Sequence, residues 1–365
     1  MSIFLFLLVL FVLVLVHEWG HYITAKKTGM RVDEFAIGFP PKLFGVKKGE
    51  TEYNFNLFPI GGYVRIYGEN AEDDGKERAA TDVGRAFHER PKWAQAVVLV
   101  AGITMNILFA WLLFTTTLII GVPTAVEEAN AGPDAVLMVA GTLKGSPADG
   151  LLPSGATILN ATVGSDILLH PTPITFSEFV SSHAAGPIAV TYTHKGVQKT
   201  IPLTPKIGIS ETNPDKPIVG ASLSLVEIQK ESFFKALSEG GKMTLHGTAS
   251  IATGLYSLAR DALFGKADFS AVAGPVGIVG MVGDAASYGL TPLLTFTAII
   301  SLNLAMVNLL PFPALDGGRL VFVFIEAITK RRVPAQWTGW INLVGFGLLM
   351  LLMAAVTFND ISRLF

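Results

Sequence analysis

A chain of 365 residues that is 50% hydrophobic and only 15% charged, with a mean hydropathy of +0.50, departs from soluble domains, which carry about 25% charge. It reads as an integral membrane protein. A net charge of -2 offers no basic footprint for nucleic acid, and the absence of Cys removes disulfides, thiolate ligands and cysteine nucleophiles, so a metal site must use His, Asp and Glu, a donor set suited to zinc.

The first predicted element is a span over residues 3–25. Ile3 to Val16 is an unbroken run of fourteen apolar residues, and it leads directly into His17-Glu18-Trp19-Gly20-His21. On a helix, residues four apart share a face, so His17 and His21 can grip one ion. Glu18 adjoins the first ligand and can act on a metal-bound water without itself coordinating. Ionisable groups in a membrane helix are costly and usually mark function. No Lys or Arg precedes the apolar run and no small-x-small site follows it, so an uncleaved helix is expected rather than a signal peptide.

Residues 31–68 have strand character. Tyr53, Phe55 and Leu57 alternate with Asn54 and Asn56, and a turn at 59–62 leads to a return strand at 63–67. Residues 70–85 are charged and short of apolar anchors, which predicts a mobile loop. A second span is expected over 94–120. Residues 122–207 form a separate block of short β-like runs (135–139, 188–192, 200–203) with one helical stretch at 176–183, enough for a small α+β domain. Residues 208–230 read as a linker. Residues 231–265 have amphipathic helical spacing and are expected at the membrane surface.

The third and fourth spans are expected over 291–311 and 337–358. Twelve of the 27 Lys and Arg lie in 26–92, and another cluster lies in a short loop at 319–332. With the N-terminus outside, both segments fall on the cytoplasmic side. His17 then lies about 21 Å below the outer end of its helix at 1.5 Å per residue, inside a hydrocarbon core of roughly 30 Å. The third span ends in a Pro-interrupted segment, 308–318, which brings Asp316 to similar depth on a Gly-flanked turn. Catalytic zinc typically takes three protein ligands, and Asp316 is the predicted third.

HEWGH at 17–21 and NLLPFPALDGG at 308–318 resemble the site-two protease family of intramembrane zinc metalloproteases, in particular its bacterial regulator of sigma-E protease branch. PIGGYV at 59–64, AGITMN at 101–106, GPVGI at 274–278 and FNDISRLF at the C-terminus extend the likeness over nearly the whole chain. The outer block, with GSPADGLLPSGATILNATVG at 145–164, resembles a PDZ module, although Ala156 stands where an Asp is usual.

The resemblance implies an α-helical membrane protein of four transmembrane helices, with a cytoplasmic-side β-hairpin region and one extracytoplasmic PDZ-like domain. Its parts are 1–121 (two spans, HExxH and the β region), 122–207 (PDZ-like), 208–290 (linker and interfacial helices) and 291–365 (two spans and the LDG motif). It implies a bacterial cytoplasmic (inner) membrane enzyme that uses Zn2+ to cut single-pass membrane proteins such as anti-sigma factors or signal-peptide remnants. Peptide or substrate ectodomain would engage the PDZ-like domain. Asn106 and Asn308, amides in the second and third spans, fall where the family has polar residues near the site. They are expected to contact substrate or the oxyanion, with an interhelical hydrogen bond as the other reading. A membrane metal transporter would also place His and Asp in the bilayer but has no need of Glu18. A non-proteolytic PDZ-bearing scaffold would not retain the full set of ligands and base.

Overall fold

The computed structural model describes residues 1–69, 82–209, 213–266 and 273–362. The chain forms two compact units, Met1–Thr117 with Phe233–Phe365, and Leu118–Ser232.

Among the described residues of the first unit, four helices are long and apolar enough to cross a membrane. They are α1 (Ser2–Lys27), α2 (Lys92–Ile120), α6 (Leu290–Leu309) and α8 (Ala335–Ser362). Large apolar side chains of α8, among them Leu343, Phe346 and Leu351, face outward, the arrangement lipid favours. Small residues let α1 meet α2 closely, since a Cβ on Gly20 would stand 2.6 Å from the Ala101 carbonyl oxygen.

Helix α6 ends at Leu309, short of the expected 311. Leu310 precedes Pro311 and turns extended (ψ 139°), because proline crowds a helical conformation at the residue before it. The backbone groups freed by this break find partners: Phe312 N–H donates to the Leu310 carbonyl at 2.7 Å, and Ala314 N–H donates to the Asn342 side chain at 3.2 Å. The chain then re-enters a helix, α7 (Asp316–Thr329). This corrects two expectations. Asp316 is not on a flexible turn but opens a helix, and most of 319–332 is helical rather than loop. Gly317 and Gly318 allow it, because a Cβ on either would strike the carbonyls of residues 309–312.

Between α1 and α2 lie β1 (Val32–Lys48) and β2 (Thr51–Ile66). They pair from Val32↔Ile66 to Ile37↔Gly62 and again from Lys42↔Asn56 to Lys48↔Thr51, with 34–39 also in register with 52–58. The result is four short segments in the order 62–66, 32–37, 52–58 and 42–48, with 62–66 outermost. Of the expected mobile loop at 70–85, residues 70–81 lie outside the described residues. Residues 82–85 are anchored. Asp82 is buried and pairs with Arg31 at 2.5 Å, and Arg85 and Lys26 both hold Glu50. Those two cations, Arg85 foremost, draw the Glu50 carboxyl down to about 2.

Two further helices are α4 (Phe233–Leu263) and α5 (Pro275–Ser287). One side of α4 packs against its neighbours, with Ala236 and Thr244 buried and Ile251 against the α2 and α6 side chains, while Phe234 and Leu245 stay exposed. Trp111 Nε1–H donates to the Leu237 carbonyl at 2.9 Å, and Gly247 lies against Leu302 of α6. At the start of α5, the Gly274 and Gly277 N–H groups donate to the Asp360 carboxylate at 3.1 and 2.8 Å, using the anion preference of a helix N-terminus.

The second unit is sheet-rich. Its strands are β3 (Val122–Ala125), β4 (Val136–Thr142), β5 (Thr157–Val163), β6 (Asp166–Leu169), β7 (Ile188–His194), β8 (Val197–Leu203) and β9 (Ala221–Gln229). They pair in the order β3-β9-β4-β5-β7-β8, with β6 beside β5. Helix α3 (Pro173–Ser182) opens with a capping box in which Thr172 and Thr175 satisfy each other's backbone N–H. It drives Phe176 and Val180 into an apolar core with Leu137, Ile158, Ile188 and Val190. The expected linker at 208–230 is overturned. Residues 221–229 are a strand inside the sheet, bonded to both β3 and β4. Their period-2 alternation (Leu223, Leu225 against Ser222, Ser224) carries the signal.

Candidate active site

Helix α1 presents His17 and His21 one turn apart, both buried at 7% exposure. Their Nε2 atoms are 3.1 Å from each other, and Asp316 Oδ2 lies 3.0 Å from the first and 3.3 Å from the second. Ligand atoms set about 2.0–2.1 Å from a tetrahedral zinc lie about 3.3 Å apart, so the three atoms already stand at coordinating separations. The bonding of His21 supports the fit. Its Nδ1 is 2.9 Å from the Val98 carbonyl, which can only accept, so Nδ1 carries the hydrogen and Nε2 turns a bare lone pair toward its neighbours. Among the described residues these three form a cluster able to hold a metal.

The close approach depends on α2. A Cβ on Gly102 would run into both imidazoles, so the absence of a side chain there is what lets the rings lie against the helix. Gly102, like the Val98 carbonyl, was missed as a site residue in the sequence reading. A backbone carbonyl leaves no mark on a sequence, and one glycine among several in a membrane helix gives no sign of what it faces.

A cavity of about 760 Å³ opens on this cluster, lined by His17, Glu18, His21, Asp316 and Asn308. Four consecutive residues of the outermost strand segment, Tyr63 to Ile66, also line it. Consecutive strand side chains alternate in direction, so four neighbours can border one cavity only if the strand turns its edge to it. Burial, together with the Glu34 carboxylate that accepts its hydroxyl hydrogen at 3.0 Å, holds the Tyr63 phenol above its ordinary value.

Asn308, in the last turn of α6, is half-buried and faces this space. Asn106 does not line it. That amide is fully buried on α2, with Nδ2 3.2 Å from His17 Nδ1, behind the ligand rather than in front of it. Two further cavity residues went unforeseen, Arg319 and Glu69, which form an ion pair across the wall. Arg319 lies one helical turn beyond Asp316, a spacing that could have flagged it. Glu69 carries no such signal.

Two imidazoles and a carboxylate stand at coordinating separations among helices apolar enough to cross a membrane, a donor set suited to a zinc centre. The chain belongs to peptidase family M50, the site-two protease family of zinc metalloproteases, whose model matches residues 5–352. It is similar to a candidate zinc metalloprotease of Clostridium perfringens (35% identical, covering 99% of this chain and 98% of that protein). It is also similar to the zinc metalloprotease RasP of Geobacillus kaustophilus (31% identical, 100% and 98%) and to the regulator of sigma-W protease RasP of Bacillus subtilis (29% identical, 100% and 99%). The protein is thus a zinc metalloprotease with Zn2+ as its metal.

Proposed function

We propose that this zinc metalloprotease hydrolyses a peptide bond within or beside the membrane-spanning segment of single-span membrane proteins. The observation that carries this reading is the opening of the His17–His21–Asp316 cluster, with Glu18 beside it, into a cavity bordered by a strand edge and embedded among spanning helices.

His17, His21 and Asp316 would hold the zinc, which would supply Lewis acidity and lower the pKa of a water to about 7. Glu18 would accept a proton at its carboxylate beside the metal site and pass it to the leaving amide nitrogen. Asn308 offers its side-chain N–H to the oxygen where negative charge develops. The 62–66 edge binds an unwound substrate segment by strand addition. An extended segment exposes its scissile carbonyl, which a helix keeps hydrogen-bonded.

The N-terminus and the sheet domain lie outside the cytoplasmic membrane in this reading, with the metal nearer the cytoplasmic face. Lys26 and Lys27 at the end of α1 and Lys330 to Arg332 after α7 support it. The sheet domain is PDZ-like and takes up peptide or the outer part of the substrate. Anti-sigma factors and signal-peptide remnants have the required single apolar span.

The test is reconstitution of the purified protein in liposomes with a single-span reporter, with products mapped by mass spectrometry. Cleavage inside or within a few residues of the span, lost on chelation and restored by zinc, is expected. Cleavage confined to soluble segments far from the span would contradict it.

A further inference from the structure

One face of α2 holds both histidines. Val98, Gly102 and Asn106 follow one another at four-residue spacing. The Val98 carbonyl stands at His21 Nδ1, Gly102 lies flat beneath both rings, and the Asn106 amide stands at His17 Nδ1. Asn106 is 0% exposed, and its Oδ1 is buried without a hydrogen-bond partner. The backbone there is itself fixed, because Ser301 Oγ–H donates to the Asn106 carbonyl at 2.8 Å.

The two ends of a side-chain amide are interchangeable in shape but not in chemistry. With the NH2 facing His17, the ring must accept at Nδ1, so its hydrogen sits on Nε2 and points into the cluster of His21 and Asp316. With Oδ1 facing His17, the ring donates from Nδ1 and Nε2 is bare. Either orientation leaves one end of the amide in the helix interface. Only the second gives His17 the same tautomer that the Val98 carbonyl imposes on His21, with both Nε2 lone pairs aimed at Asp316.

We propose that Asn106 is a positioning residue whose Oδ1 accepts the Nδ1 hydrogen of His17, fixing the tautomer that leaves Nε2 free for the metal. This rests on the metal site proposed above and replaces the sequence-based role of Asn106 as a substrate or oxyanion contact. Acceptors behind metal-bound histidines are worth roughly ten- to hundredfold in metal affinity.

Two substitutions separate acceptor from donor. Asn106→Asp keeps an acceptor and removes the donor; Asn106→Leu, of similar size, removes both. The measurement is the zinc dissociation constant of the full-length protein in detergent, by competition with a chromophoric chelator, together with the visible absorption of the cobalt-loaded protein. Zinc binding within about threefold of the parent in Asn106→Asp, and weakened roughly ten- to hundredfold with an altered cobalt spectrum in Asn106→Leu, is the expected result. Equal loss in both variants would overturn the proposal in favour of a donor, and full affinity in Asn106→Leu would overturn it outright. If Asn106→Leu does not fold, Asn106→Ala carries the same comparison with Asn106→Asp. Absence of tight zinc binding in the parent protein would instead refute the metal site itself.

Discussion

The two units solve opposite solvent problems. The sheet domain has an apolar core (Phe176, Leu137, Ile188, Val190) whose cluster contains no carboxylate, imidazole, lysine or arginine. The helical unit turns apolar side chains outward and buries His17, His21, Asn106, Gln95, Ser301 and Asp360. In water, apolar burial drives folding. In lipid, a helix gains nothing by hiding leucine from leucine, and association rests on packing and polar contacts. The helical unit therefore already has the hydrogen-bonded polar interior that a reactive centre needs, and the sheet domain does not.

The largest effect separating the units should come from the cluster. Asp316→Ala, or His21→Ala, is expected to abolish both zinc retention and cleavage while leaving the sheet domain folded. Metal analysis, a cleavage assay and limited proteolysis of the full chain check this. Full activity in either variant would show that the centre lies elsewhere. The converse substitution is Phe176→Ala, which removes a side chain only 1% exposed. A loss of about 3–5 kcal/mol is expected, seen as earlier proteolysis within 118–232, with zinc content unchanged.

A smaller effect is expected at the strand edge. Successive strand N–H groups point to opposite sides, so of Tyr63→Pro and Val64→Pro one removes a cavity-facing donor and the other disrupts pairing with β1. The first should lower kcat/KM about three- to tenfold, the worth of one hydrogen bond, with zinc unchanged. Identical behaviour of the two variants would argue against strand addition. The smallest effect is electrostatic. Glu50 titrates in the folded protein near 2, below its ordinary 4.5. Its pairing with Arg85 and Lys26 therefore contributes stability that is complete above about pH 4.5 and fades as pH falls toward 2. Glu50→Gln should remove that contribution, lowering stability slightly at neutral pH and flattening that part of an acid-unfolding curve.

Much of this was legible in the sequence because the relevant signals are local. The apolar runs marked four spans, and His17 and His21 sit at a helical spacing on one of them. Asp316 was reachable because Pro311 and Pro313 end a span at a definable place. The rest depends on relations between distant segments. The strand at 221–229 was read as linker although its alternation is clear, because turn-rich sequence before it obscured the boundary. Helix α7 was read as loop because Asp-Gly-Gly is ordinary turn chemistry, and only the close carbonyls of 309–312 explain why glycine is needed inside a helix there. Asn106 was placed on the correct helix with two readings, and the structure shows the second, an interhelical hydrogen bond, here to His17, since spacing cannot say whether an amide faces the cavity or the back of an imidazole.

In the proposed mechanism Glu18 moves the proton while His17, His21 and Asp316 hold the metal. Glu18→Gln keeps the side chain's size and removes its basicity. Its zinc content and its cleavage of a membrane-spanning reporter, measured on the same preparation, test the claim most directly. One zinc per chain with cleavage reduced by about 10²–10⁴-fold is predicted. Unchanged cleavage, or loss of the zinc together with the activity, would contradict it.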